Sequence, residues 1–335
     1  MVVIPGTRGR NSTVGTTYTG RAPNAILDLK AAIRYLRHFD KEMLGNAEKI
    51  ITDGTSAGGA ESRQQGNADV LGVSNELKAQ FPTYVNGLGL KMPDGTPLTA
   101  DNYMDFIKSE IIRAAQIAKN AGADIPDSIG FEFSSAAGGM FAAPINGGVT
   151  NSHAPRGDVK LGTGSSRSLQ RGRMGGAQVG EYITGLDIQK YLNYVVSTQP
   201  LKTAPAFDTK GVCGQDASGE NDEFGDATGT SVNFTEYAAT KTLSVLTDDI
   251  RHNVHLLNPM YFIGESDTDV APHWYIRHGA RDRDTSFPIP LNLALKLENA
   301  GKDVNYLLAW NRPHSGDYAL DELFEWIRNI TSPKK

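Results

Sequence analysis

Ser56 lies in Gly54-Thr55-Ser56-Ala57-Gly58, between the apolar run Lys49-Ile50-Ile51-Thr52-Asp53 and the small residues Gly59 and Ala60. A serine flanked in this way, after a strand and before a helix, can occupy a sharp turn that lifts its hydroxyl clear of the sheet, because only small neighbours tolerate that backbone. A serine hydroxyl is a weak nucleophile at neutral pH. It needs a base for its proton, and the base needs a carboxylate to orient it. Both follow late strand candidates here. Residues 273–278 run into Gly279-Ala280-Arg281-Asp282-Arg283-Asp284, and residues 304–310 run into Asn311-Arg312-Pro313-His314-Ser315-Gly316. With each group after a strand, Ser56, Asp282 and His314 are expected at one edge of a parallel sheet, where open α/β sheets place their sites. Asp284 is the competing acid; Asp267 and Asp269 read as loop residues and His278 as buried strand structure. The backbone N–H of Ala57 is the expected donor to the oxyanion of an acyl transfer.

The elements that must hold these groups follow from periodicity. Residues 2–4 read as a buried strand, residues 7–20 as a Gly/Thr-rich loop, and residues 24–40 as an amphipathic helix capped by Asn24. A strand at 49–53 leads into the turn at Ser56. This alternation implies a parallel sheet covered by helices. It returns after about residue 253, with strand candidates at 260–263, 273–278 and 304–310, a helix over 288–300 that starts at prolines and ends at Gly301, and a closing helix over 320–330. Between them, residues 100–120 and 175–196 read as helices, and residues 134–180 are rich in Gly and Ser. We therefore divide the chain into a core of residues 1–66 and 253–335 and an inserted, mostly helical lid of residues 67–252. A buried strand at the first residues leads us to expect that the sheet lacks its first strands.

Composition narrows the partners. A chain of 335 residues is long enough for about two domains. With 39% hydrophobic and 21% charged residues it can bury an ordinary globular core. A net charge of −5 favours neither nucleic acid nor an anionic membrane, and Arg167, Arg171 and Arg173 read as solvated loop residues. No run reaches the ~18 apolar residues of a membrane span, and no secretory leader is read. The single cysteine, Cys213, excludes an internal disulfide framework and a multi-cysteine metal site, and reads as an incidental thiol. No metal or cofactor is expected. Oligomeric state and compartment stay open.

Longer segments resemble the bacterial tannases, tannin acyl hydrolases of the α/β-hydrolase superfamily. They are Val2-Val3-Ile4-Pro5-Gly6-Thr7-Arg8-Gly9-Arg10-Asn11, Asp28-Leu29-Lys30-Ala31-Ala32-Ile33-Arg34-Tyr35-Leu36-Arg37, the Ser56 pentapeptide with Gly59-Ala60, Ala271-Pro272-His273-Trp274, Ile276-Arg277-His278-Gly279, Asp282-Arg283-Asp284-Thr285 and Trp310-Asn311-Arg312-Pro313-His314-Ser315-Gly316-Asp317-Tyr318. The resemblance implies an α/β-hydrolase sheet, hydrolysis of galloyl esters, and Ser56, Asp282 and His314 as the family's triad. It also implies that Lys202, Glu220 and Asp284 read the ring hydroxyls of a small phenolic ester, with Glu223 as the alternate to Glu220. The family's first strands and second oxyanion donor precede the region matched here, so an inactive remnant is one alternative. A broader aryl or feruloyl-type esterase is the other. No cysteine adjoins Ser56 or His314, which separates the chain from the fungal tannase and feruloyl esterase branch.

Overall fold

The computed structural model describes residues 1–54, 68–134, 181–314 and 318–332. In chain order the elements are a two-residue hairpin β1 (Thr13–Val14) and β2 (Thr17–Tyr18), α1 (Asn24–His38), α2 (Ala68–Gly87), α3 (Tyr103–Asn120), β3 (Phe131–Ser134), β4 (Tyr182–Leu186), α4 (Ile188–Thr198), α5 (Gly219–Glu223), α6 (Glu236–Thr242), α7 (Asp248–Leu257), β5 (His273–Gly279), α8 (Pro288–Asn299), β6 (Asp303–Ala309) and α9 (Leu320–Thr331). They gather into two compact units, residues 1–80 with 202–265 and residues 81–201 with 266–335.

The second unit is built on two parallel strands. β5 and β6 pair in register from His273 opposite Asp303 to Gly279 opposite Ala309. Parallel neighbours need a crossover, and α8 supplies it. Pro288 opens α8, where a missing N–H costs nothing, and Gly301 follows its end at φ +73°. Its inner face buries Leu291, Ala294, Leu295 and Leu297. α3 belongs to the same unit and buries Phe106, Ile107, Ile111, Ala114, Ala115 and Ala118, spaced for one helical face. Two polar ties lock these layers. Tyr103 Oη donates to Asn292 Oδ1 at 2.6 Å, and Arg113 pairs with the buried Glu110 at 2.5 Å while donating to the Tyr306 carbonyl at 3.1 Å. β3 and β4 form an antiparallel ladder that leads into α4, whose cap Asp187 accepts from the N–H groups of Gln189 and Lys190.

The first unit consists mainly of short capped helices. Ser218, Thr235 and Thr247 cap α5, α6 and α7 through their side chains. The Arg8 guanidinium grips Asp28 of α1 from two nitrogens, at 2.9 and 2.6 Å, and the Arg8 N–H adds a third bond at 2.9 Å. This joins two of the segments that carry the family resemblance and holds the Asp28 carboxyl down at about 2.

Several expected elements differ. Residues 2–4 and 49–53 form no strand; Ile4 is 90% exposed. β-branched runs favour strands only where a partner edge is available. Residues 260–263 begin as a 3-10 turn at Pro259, with Asn258 as its side-chain cap. The helix expected over 175–196 starts only at Ile188, because Tyr182–Leu186 pairs with Phe131–Ser134 and Asp187 caps the helix at that point. α1 forms over Asn24–His38, but Pro23, not Asn24, is its N-cap, no side chain caps it, and none of its residues is buried. No helix among the described residues is long and apolar enough to cross a membrane.

Candidate active site

Parallel pairing puts the last residues of β5 and β6, Gly279 and Ala309, side by side, so the loops after them leave the sheet at the same edge. The loops interlock at once. The N–H of Ala280 donates to the Ala309 carbonyl at 2.9 Å and that of Arg281 to the Arg312 carbonyl at 2.9 Å. Gly279 makes this approach possible: a Cβ there would lie 2.2 Å from the Pro313 carbonyl oxygen and 2.5 Å from that of Arg312. Asn311 turns the second loop with φ +56°, and its Oδ1 accepts from Tyr194 Oη at 2.6 Å. Tyr191, fully buried, donates to the Ala280 carbonyl at 2.5 Å, and its ring lies against Trp310. The two tyrosines of α4 thus brace both loops.

Braced in this way, Asp282 and His314 meet. His314 Nδ1 lies 2.8 Å from Asp282 Oδ2. The other oxygen, Oδ1, accepts from the N–H groups of Asp284 at 2.7 Å and Thr285 at 2.9 Å. The Asp282 side chain is 4% exposed, so both its oxygens are spent on protein donors and the carboxylate cannot rotate away from the imidazole. Of the two acids left open by the sequence, Asp282 is the one that bonds His314. Asp284 faces Arg283, whose Nε is 3.4 Å away. Donor atoms of Asp282, Asp284 and His314 all lie within 4.8 Å of one another, close enough to share one cation. Such a cation would have to displace the 2.8 Å bond between Asp282 and His314, which already occupies two of the three donors.

One neighbour of the acid is not evident from the sequence. His278 is buried in its strand, as expected, but its Nδ1 is 3.6 Å from the same Oδ2 that serves His314. Burial pushes the His278 imidazole below its ordinary value, against the pull of Asp282, so it stays neutral beside the acid. The signal is its position four residues ahead of Asp282, across the turn that ends β5. Tyr318 is a second such residue: its hydroxyl donates to the Pro313 carbonyl, next to His314, and burial pushes its phenol up.

Within the first unit, Lys202 places its Nζ 4.6 Å from the centre of the Phe207 ring. Glu220 lies on α5, and its Oε2 is buried with no hydrogen-bond partner among the described residues. The α5 backbone is approached closely at Gly219, where a Cβ would fall 2.0 Å from an Arg10 guanidinium nitrogen. Burial pushes the neighbouring Glu223 carboxyl up, while Arg21 and Arg10 pull it down. Ser56, Ala57 and the arginines at 167, 171 and 173 lie outside the described residues.

The same chain trace recurs in solved structures. It is similar to the tannin acyl hydrolase of Lactobacillus plantarum, at TM-score 0.76 and 29% identity over 98% of this chain and 76% of that one. A tannin acyl hydrolase in complex with 3,4-dihydroxybenzoate matches at TM-score 0.75 and 30% identity, covering 98% and 75% of the two chains. The Fusobacterium nucleatum tannase matches at TM-score 0.73 and 27% identity, covering 98% and 77%. The chain belongs to the tannase family. It is therefore a carboxylic ester hydrolase, a mixed helix-and-strand protein with parallel strands like those tannases. No protein-family model and no curated protein matches it. Among the tannase site residues expected from the sequence, Asp282, Asp284 and His314 are brought together, and Lys202 and Glu220 lie in the other unit.

Proposed function

We propose that the chain hydrolyses galloyl esters as a serine esterase, with Ser56 as nucleophile, His314 as base and Asp282 as the orienting acid. The observation that carries this reading is the bond from His314 Nδ1 to Asp282 Oδ2, at the shared end of two parallel strands. With Nδ1 protonated toward Asp282, the other ring nitrogen, Nε2, is the one left to accept a proton. His314 takes the Ser56 proton as the serine oxygen attacks the ester carbonyl. The negative charge on the carbonyl oxygen is met by the Ala57 N–H. The imidazolium, stabilised by Asp282, then protonates the departing alcohol or phenol. Water attacks the acyl-enzyme with His314 again as base, releasing the acid and free Ser56. We further propose an α/β-hydrolase core of residues 1–66 and 253–335, with residues 67–252 as an inserted lid.

For the acyl group we propose a ring with adjacent hydroxyls read by Lys202, Glu220 and Asp284. An ammonium donates to a phenolic oxygen, and carboxylates accept from phenolic O–H groups. The buried Oε2 of Glu220, without a hydrogen-bond partner among the described residues, supports this, since a substrate hydroxyl would supply a donor to it. Tannin acyl hydrolases have been solved with ethyl gallate and with 3,4-dihydroxybenzoate, ligands of this class. Comparing kcat/KM for methyl gallate, methyl ferulate and methyl benzoate tests the assignment. A preference for gallate by about a hundredfold or more is expected, because an ester lacking the hydroxyls leaves buried polar groups unpaired. Equal rates would move the assignment to a broader arylesterase, and no turnover of any of the three would mean an inactive remnant.

A further inference from the structure

Asp208 is a buried carboxylate, 2% exposed, with an unusual number of donors aimed at it. Its Oδ1 accepts from Asn221 Nδ2 at 2.7 Å and Asn233 Nδ2 at 2.8 Å. Its Oδ2 accepts from the N–H groups of Phe234 at 2.9 Å and Thr235 at 2.7 Å, and from the Thr235 hydroxyl at 2.7 Å. Asn221, fully buried, is equally engaged. Its Oδ1 accepts from the N–H groups of Thr209, Lys210 and Ser218, and its Nδ2 donates also to the Val232 carbonyl at 2.8 Å. The Ser218 hydroxyl accepts from the Asn221 N–H at 3.0 Å and donates to the Phe207 carbonyl.

These bonds join two short segments that have no regular pairing of their own. One is residues 202–208, where Lys202 rests on the Phe207 ring. The other is α5, where Glu220 directly precedes Asn221. A five-residue helix cannot hold itself in water. Its placement depends on the cap and on the Asn221 side chain. We infer that Asp208, Asn221 and Ser218 are positioning residues: one buried polar node sets Lys202 and Glu220 relative to each other and thereby tunes selectivity for a hydroxylated ring. The inference rests on the proposed role of Glu220 in reading that ring.

The test compares kcat/KM for methyl gallate with that for p-nitrophenyl acetate, an activated ester without ring hydroxyls, in the full chain. Glu220→Ala should lower the gallate-to-acetate ratio by about ten- to a hundredfold, the value of a charge-assisted hydrogen bond. Ser218→Ala removes both the cap and the tie to Phe207, and should lower the ratio by about fivefold with acetate turnover unchanged. Ser218→Thr, which keeps a hydroxyl, should restore it. Because the node acts on the Lys202–Glu220 arrangement, Ser218→Ala should cost clearly less in the Glu220→Ala background than in the wild type. Asn221→Ala should act in the same direction more strongly, and Ser218→Ala alone decides the matter if Asn221→Ala does not fold. A parallel fall in both substrates, or additive losses in the double variant, overturns the inference and leaves the node a purely structural one. An unchanged ratio in Ser218→Ala and Asn221→Ala, beside a collapsed ratio in Glu220→Ala, overturns the inference alone. An unchanged ratio in Glu220→Ala overturns the role of Glu220 itself and the inference with it.

Discussion

Replacing Asp282 by Asn keeps the size of the acid and reverses the polarity of one hydrogen bond. Oδ1 of Asp282 is held by two backbone donors, the N–H groups of Asp284 at 2.7 Å and Thr285 at 2.9 Å. An asparagine has one oxygen, and these two donors will claim it, because an amide NH2 in that place would face two N–H groups. The NH2 must then take the Oδ2 position, 2.8 Å from His314 Nδ1. There it can only donate, so Nδ1 must accept and the imidazole proton moves to Nε2. A histidine protonated at Nε2 cannot take the proton of a serine. The expected result is a loss of about 10⁴ in kcat for methyl gallate, roughly 5.5 kcal/mol of barrier, with KM little changed. Circular dichroism and thermal denaturation should show the fold intact, since every backbone donor keeps its partner. Asp284→Asn is the control. Its backbone N–H still holds Asp282, so kcat for p-nitrophenyl acetate should stay within about twofold, while KM for methyl gallate rises by about tenfold. An Asp282→Asn variant with near-normal kcat beside a collapsed Asp284→Asn variant would falsify the reasoning and make Asp284 the acid.

Other substitutions test the scaffold. Gly279→Ala puts a Cβ against the Pro313 carbonyl, and should cost about 1–3 kcal/mol in thermal or urea denaturation and lower kcat by displacing His314. Asp187→Ala removes the cap of α4, the helix that carries Tyr191 and Tyr194, and should lower stability by about 1 kcal/mol in the same assays. His278 is held below its ordinary value of 6.5 by burial, so the unfolded chain binds its proton more readily than the folded one. Its contribution to stability is present above pH 6.5 and declines as the pH falls from there toward the lowered folded value; the melting temperature of His278→Gln should therefore fall less steeply than that of the wild type over that acid range.

The parts of the fold that could be read in advance are those whose signals are local. α8 is bounded by Pro288 and Gly301, and the strands on either side of it run into the loops that contain Asp282 and His314, so the positions of these elements were legible. Where structure depends on a distant partner, local signals misled. Tyr182, Ile183 and Leu186 fit a helical spacing as well as a strand, and the choice is made by Phe131–Ser134, about fifty positions earlier. The apolar runs at 2–4 and 49–53 have strand-forming residues without a ladder among the described residues. Least legible was the polar architecture. Asp208, Asn221 and Asn233 look like ordinary loop residues in the sequence, and only tertiary burial reveals that they share one set of hydrogen bonds. His278 read correctly as buried, but alternation along a strand says nothing about the carboxylate that the next turn folds back toward it.

Nucleophilic attack by Ser56 is the claim on which the proposed chemistry turns, and a fluorophosphonate probe combined with peptide mass spectrometry measures it directly. One adduct is expected, on Ser56, formed rapidly in the wild type and slowed by several orders of magnitude in His314→Ala. A folded protein that hydrolyses methyl gallate while Ser56 stays unlabelled, or that carries the adduct on a different residue, would contradict it.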